Sequence, residues 1–309
     1  MDGLLLVDKA RGVTSHDVVA RLRRALGVQK VGHFGTLDPL ATGLLIVAVG
    51  GAVKLFPFFS RHDKVYAGEI RLGVATETYD AEGPPIPRES GPLPDRASLL
   101  EAMAGFVGER LQVPPPFSAK KLAGRPLYEW ARSRRTATVP PRPVKVDAFE
   151  LRAYRPPAVE FELRCGSGTY VRSLAHELGE RLGCGAHLAA LRRLAVGGLT
   201  IAEARPIDAI ETFIAAGRSR DILRPVESLL HELPRLVLTE SGAGRLQKGR
   251  GLAPDDVREP LLAVPSTSSP SDSELAGACR LFDPAGRLLG LARPQGAGPR
   301  LVPFLIFHP

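Results

Sequence analysis

The chain has 309 residues, 44% of them apolar and 24% charged, ordinary proportions for a globular protein with room for one large core or two domains. With 41 Lys and Arg against 33 Asp and Glu the formal charge is +8, which favours a polyanionic partner, nucleic acid before membrane, since no helical stretch pairs a basic face with a bulky aromatic one. Cys165, Cys184 and Cys279 are odd in number and lie in no CxxC or Cys/His spacing, which argues against a disulfide framework and a zinc site and for a reducing, cytoplasmic setting.

In chain order, MDGLLLVDK opens on an acid and its apolar run is too short for a signal peptide; GLLLVDK reads as a short buried strand. Ser15 is the expected N-cap of the helix HDVVARLRRALG, which Gly27 closes and whose Val18, Val19, Leu22 and Leu26 form one stripe. LLIVAVG is a strand too apolar for a wet edge and far short of the roughly 20 residues that span a bilayer. KVYAGEIRLGVAT alternates as a strand, and ETYDAEGPPIPRESGPLP is a Pro/Gly-rich loop. RASLLEAMAGFVGERLQ reads as helical, and VPPPFSAKKLAGRPLYEWAR as an extended segment ending in a helix. VPPRPVKVDAFELRAYR and AVEFELRCGSGTYVRSL are strands, and LAHELGERLG is a helix closed by Gly183. No repeat period shows. Single helices among hairpin-like strands predict an α+β fold with a mixed, largely antiparallel sheet.

Composition changes near Leu233–Pro234, so two domains are expected, 1–232 and a small β-rich 233–309. DPAG marks a turn between two short strands of this tail, and the Ser/Pro-rich VPSTSSPSDSEL, 264–275, is expected to be a mobile loop.

The chemistry-bearing candidates begin with VGHFGTLDPLATGLL. Between Val18 and His62, Asp38 is the single acid among six Lys or Arg. Gly32, Gly35 and Gly43 permit tight turns, and Pro39 drives Asp38 toward extended backbone, so its carboxylate sits on a stiff loop entering a buried strand. Such a carboxylate serves as a nucleophile or a base, or else simply makes the turn. Arg172, in GSGTYVRSLAHELG, lies where a strand runs into a helix and can grip a carboxylate or a phosphate, or stand on the surface. Tyr66 shares a strand face with Gly68 and Ile70; it packs in a core or stacks on a base. HELGE at 176–180 lacks the second histidine of HExxH, GGAVKL at 50–55 is no P-loop, and no GxGxxG follows a strand, so no metal, nucleotide or redox cofactor is expected.

These residues also carry a resemblance. GHFGTLDPLATGLL is similar to the signature GHxGxLDPxAxGxL of the TruB family of tRNA pseudouridine synthases. LLLVDKARGVTSHDVV resembles the family's opening block, and DKVYAGEIRLGVATETYDAEG its second motif. PPPFSAKKLAGRPLYEWAR resembles the block with P-x-x-S-A-x-K and L-Y-x-x-A-R, and CGSGTYVRSLAHELGERLGCGAHLAALRRLAVG the block with G-T-Y-[IV]-R and L-R-R. All occur in family order. The tail resembles, by position, β content and LxxxxxGRLQKGRGL, the RNA-binding domain called PUA, from which the Ser/Pro-rich insertion departs.

The resemblance implies a cofactor-free isomerase that converts uridine to pseudouridine at the T-loop position of tRNA conventionally numbered 55. It implies Asp38 as the catalytic aspartate, Tyr66 stacked on the target uracil, Arg172 paired with Asp38, and His33 filling the space the flipped base leaves. Tyr170 and Leu191 match positions that line the base pocket. The chemistry agrees: an aspartate is ordinarily ionised above about pH 4, and the target base must leave its stack. Attack on C1′, attack on C6 and assistance to loss of the 2′ proton all fit the carboxylate. Lys9, Arg21, Arg23, Arg24, Lys30, Lys120, Lys121 and Arg125 are candidate phosphate contacts or plain surface charges. A non-catalytic RNA-binding protein on the same scaffold has no need of Asp38, Tyr66 and Arg172 together. Relatives inside guide-RNA particles suggest another partner, but the chain starts almost directly at the first block and has no long basic tail. A stand-alone, monomeric, cytoplasmic enzyme acting on a tRNA T-arm, with no guide RNA and no membrane, is therefore the expectation.

Overall fold

Why the N-terminal half folds as it does is legible from its apolar runs. The computed structural model describes residues 2–87, 91–117, 121–122, 125–126, 139–230, 233–258, 277–295 and 300–307. In it β1 (Gly3–Lys9) pairs antiparallel with β3 (Thr42–Val49), Gly3 opposite Val49 and Lys9 opposite Gly43. Between them come α1 (Ser15–Leu26) and the short β2 (Val31–His33), which pairs with the far end of β3. The cap of α1 is Thr14, not Ser15. Its Oγ1 accepts from the Asp17 N–H at 3.0 Å while the Asp17 carboxylate accepts from the Thr14 N–H at 2.8 Å. That reciprocal box satisfies two end donors, which a cap at Ser15 could not do with Val18 in the matching position. Gly27 ends the helix at φ +64.

RASLLEAMAGFVGERLQ is not one helix. α2 (Arg96–Ala104) stops at Gly105, and Gly108, at φ +110, turns the chain into β5 (Gly108–Gln112). β4 (Lys64–Leu72), β6 (Arg142–Arg155) and β7 (Ala158–Cys165) follow the alternating segments. The strand expected through GTYVRSL ends at Cys165, and α3 (Val171–Arg181) starts there instead. AHLAALRRLAV forms β8 (Ala186–Val196). Among the described residues the main sheet has ten strands. Its order is Arg205–Pro206, β1, β3, β8, β4, β7, β6, β5, with β2 and Leu199–Thr200 paired beside that path. Arg205–Pro206 on β1, and β8 on β3, are parallel; the other ladders are antiparallel. This is the mixed, largely antiparallel α+β sheet that the sequence predicts. α1, α2, α3 and α4 (Ile207–Ala215) contribute Leu22, Leu99, Leu174 and Ile210 to a core with Leu45, Val47 and Val49 of β3.

A second, four-stranded sheet runs β9 (Arg235–Val237), β10 (Cys279–Phe282), β11 (Leu288–Pro294), β12 (Leu301–Ile306), with α5 (Glu240–Gln247) after β9. DPAG makes its expected turn, Gly286 at φ +81 donating to the Asp283 carbonyl at 3.0 Å. This sheet shares a core with the main one: Phe282, Leu291 and Leu305 pack with Leu4, Leu6, Leu44, Ile46 and Phe58.

The helix expected at the end of VPPPFSAKKLAGRPLYEWAR, Lys120 and the 264–275 loop lie outside the described residues, as do 231–232, where the two expected domains meet. Lys121 and Arg125 belong to a two-stranded ladder, Lys121–Leu122 with Arg125–Pro126. Among the described residues no helix is long and apolar enough to cross a membrane.

Candidate active site

The loop between β2 and β3 carries Asp38, and nearly every turn of it is tied to a neighbour. Gly35 adopts φ +107 and Gly43 φ +98, both open to glycine and costly to other residues. A Cβ on Gly43 would lie 2.4 Å from the Arg193 carbonyl oxygen and 2.8 Å from its nitrogen, so β3 and β8 meet at that point because position 43 has no side chain. Ser15, freed from capping, both accepts from the Leu37 N–H at 2.9 Å and donates to the Leu37 carbonyl at 3.1 Å. The Gly12 N–H donates to the Pro39 carbonyl at 2.9 Å, and the Ala41 N–H to the Asp38 carbonyl at 3.0 Å.

Two buried cations complete the frame. Arg193, 1% exposed, donates through Nε to the Leu44 carbonyl at 2.7 Å, through Nη2 to that of Gly35 at 3.1 Å, and through Nη1 to that of Thr36 at 3.4 Å. Lys9 Nζ donates to the carbonyls of Val13 at 2.7 Å, Ala10 at 3.0 Å and Pro39 at 3.4 Å. Burial pulls the Lys9 ammonium down to about 8, against the pull of Asp38 and Glu82. Lys9 is thus neither the surface charge nor the phosphate contact that the sequence leaves open: its charge is enclosed and its donors are used by the loop. Arg21 is likewise engaged, with Glu211 at 2.6 Å and Asp208 at 2.6 Å, and Arg23 Nη2 donates to the Val31 carbonyl at 2.7 Å. Arg24 and Lys30 remain exposed.

Arg172, the second residue of α3, meets Asp38 through one hydrogen bond and one close ion-pair contact. Nε lies 2.9 Å from Oδ2, and Nη2 donates to Oδ1 at 3.2 Å. Nη2 also donates to the Phe117 carbonyl at 3.0 Å, Nη1 to the Thr78 carbonyl at 3.1 Å, and Nη1 stands 3.5 Å from Asp80 Oδ2. The Arg172 side chain is 7% exposed and that of Asp38 38%, so the guanidinium is the buried anchor and the carboxylate the reachable group.

Asp38, Tyr66, Tyr170, Arg172 and Leu191 line one cleft of about 270 Å³, against roughly 30 Å³ for a water in the liquid, so it can take a flat ring. Tyr66 is buried on β4 opposite Arg193, and burial pushes its hydroxyl upward. His33 is not in the lining. It stands half-buried on β2 opposite Val47, its Nδ1 enclosed without a partner, and burial ahead of the Arg193 and His16 charges lowers its pKa. Lys64 and Arg193 line the cleft and were not singled out by the sequence. Lys64 Nζ donates to the carbonyls of Ser60 at 2.8 Å and His62 at 2.5 Å, and burial lowers it to about 8. The lining therefore has three cationic side chains around one carboxylate, a field suited to an anionic ligand. Among the described residues no group of three or more His, Cys, Asp or Glu is placed to hold a metal ion.

Comparison with known proteins follows the same outline. Residues 23–171 match the profile of the TruB family pseudouridylate synthase (N terminal domain), and 172–231 that of the tRNA pseudouridylate synthase B C-terminal domain. The chain is 49% identical to tRNA pseudouridine synthase B of Opitutus terrae, over 68% of this chain and 88% of that one. It is 44% identical to tRNA pseudouridine synthase B of Burkholderia lata, over 95% of this chain and 87% of the relative. Among solved structures, a Cbf5–Nop10–Gar1 complex superposes with a TM-score of 0.69 at 24% identity, covering 99% of this chain and 85% of that one. An H/ACA ribonucleoprotein bound to a substrate RNA containing 2′-deoxyuridine superposes with a TM-score of 0.67 at 22% identity, over 99% and 85%. At such identities the two structures share the fold.

Proposed function

The chain belongs to the TruB family of pseudouridylate synthases, and from that membership we propose that it isomerises uridine to pseudouridine at T-loop position 55 of tRNA, with Asp38 as its reactive carboxylate. It is an isomerase acting on tRNA. The N1–C1′ bond breaks, the C5–C1′ bond forms, C5 loses a proton and N1 gains one. Nothing is oxidised or reduced, so the exchange calls for no cofactor. The uracil leaves its stack and enters the cleft against Tyr66, with Tyr170 and Leu191 as walls, and His33 moves into the space it vacates. Arg172 holds the carboxylate oriented.

The observation that carries this reading is the Asp38–Arg172 ion pair at a cleft that also contains Tyr66, Tyr170 and Leu191. The protein acts as a single chain without guide RNA in the cytoplasm, consistent with relatives named for tRNA that align along most of its length. The tail, 233–309, is a PUA-like domain that contacts the tRNA. Incubating the purified protein alone with a T-arm stem-loop tests the reading. Wild type should form pseudouridine, and Asp38→Asn none, with RNA affinity held within roughly threefold. Turnover by Asp38→Asn would sink the assignment of the carboxylate.

A further inference from the structure

α3 begins at the residues the site depends on, yet its N-cap, Tyr170, makes no side-chain capping bond. An uncapped helix start leaves N–H groups to be satisfied from elsewhere. Here the partner is Gln112, the last residue of edge strand β5. Its Oε1 accepts from the Tyr170 N–H at 2.8 Å, and its Nε2 donates to the Tyr170 carbonyl at 3.1 Å. Gln112 is 2% exposed, so these bonds have no water to replace them. The next residues of the same run continue the contact. The Val113 carbonyl accepts from Ser173 Oγ at 3.0 Å, and the Phe117 carbonyl accepts from Arg172 Nη2 at 3.0 Å.

We propose that Gln112 is a positioning residue for the isomerisation: by gripping both sides of the Tyr170 backbone it sets where α3 starts, and so where Arg172 meets Asp38 and where Tyr170 faces the base. Two bonds from one planar amide fix both the translation and the tilt of the segment they hold. A displacement of about 1 Å at a reacting group can cost on the order of a hundredfold in rate. The inference rests on the function proposed above and adds a residue that touches neither Asp38 nor the cleft.

The test uses the full chain and the T-arm stem-loop, with single-turnover rates at saturating RNA and affinity measured separately. Gln112→Met keeps the volume and removes both bonds. It should lower the rate at least tenfold with affinity changed less than threefold, whereas Gln112→Glu, which retains the acceptor, should fall between it and wild type. A merely structural role would shift the thermal midpoint and leave the rate below that midpoint unchanged. Because Gln112 acts in part through Arg172, adding Gln112→Met to Arg172→Lys should slow the reaction by less than the product of the two single effects. A folded Gln112→Met protein with a rate within twofold of wild type overturns the proposal, and so does full multiplication of the two effects. If Gln112→Met does not fold by circular dichroism, Gln112→Glu bears the same threshold. Wild type that makes no pseudouridine overturns the function reading itself; an active wild type matched by an active variant overturns only the role of Gln112.

Discussion

The Arg172 guanidinium donates to Asp38 Oδ1 and to the carbonyls of Thr78 and Phe117, and stands within ion-pair distance of Asp38 Oδ2 and Asp80, although its Nε makes no hydrogen bond. A fork so committed is ordered during folding and needs no rearrangement when substrate arrives. The enclosed lysines Lys9 and Lys64 give a different, pH-dependent signature. Both are lowered by burial to about 8 from 10.5. Below about pH 8 they are charged in the folded and the unfolded chain, and the desolvation cost is carried in full. Between 8 and 10.5 the unfolded chain binds more protons than the folded one, so their effect on stability improves as pH rises. Urea denaturation of wild type and Lys64→Met at pH 8 and pH 10 should therefore show wild type gaining on the variant at the higher pH. A gap that moves the other way would refute the burial assignment.

At the scale of elements, the meeting of β3 and β8 depends on Gly43. Gly43→Ala places a methyl group inside the Arg193 backbone and strains φ +98, so the two strands must part; a loss of about 3 kcal/mol is expected. Gly12→Ala, at φ +85 with open space around it, should cost about 1 kcal/mol, and denaturant midpoints of the two variants separate strain from collision. The glycines and Pro39 around Asp38 announce a stiff loop in the sequence itself. The partnership with Arg172, 134 positions away, does not follow from spacing and is implied only by the family resemblance. Lys64 and Arg193 are not legible in the sequence, because alternation assigns strand cations to the wet face. What buries them is a set of backbone carbonyls, those of Ser60, His62 and Gly35 outside strands and that of Leu44 on β3, which no local pattern encodes. β8 was equally opaque: AHLAALRRLAV is rich in helix-favouring Ala, Leu and Arg, and only its place between β3 and β4 makes it a strand. Gln112 is an ordinary polar strand residue until Tyr170 is folded against it.

For the whole molecule, the second sheet is less separable than the change in composition near Leu233 suggests. Its Phe282, Leu291 and Leu305 belong to one core with β1 and β3, Phe58 packs on Phe304 at 6.0 Å between centroids, and Lys54 Nζ donates to the Ile306 carbonyl at 2.5 Å. A chain cut after residue 232 should bind hydrophobic dyes and unfold roughly 10 °C earlier, which differential scanning fluorimetry would check. A contact between the tail and tRNA is therefore better probed in the intact chain, by Lys248→Ala with Arg250→Ala, both exposed beyond α5 and expected to reduce affinity and its salt dependence. The sharing of cores leaves β3 apolar on both sides, with Leu45, Val47 and Val49 toward one core and Leu44, Ile46 and Ala48 toward the other. A strand of that kind has no polar face to penalise a slip along its neighbours. Sliding by two residues would still bury apolar side chains, yet would carry the end of the Asp38 loop about 6.6 Å away from Arg172. The missing side chain at Gly43 acts as an index mark: it is the one place where the strand can seat on Arg193, and seating there keeps the carboxylate at its address.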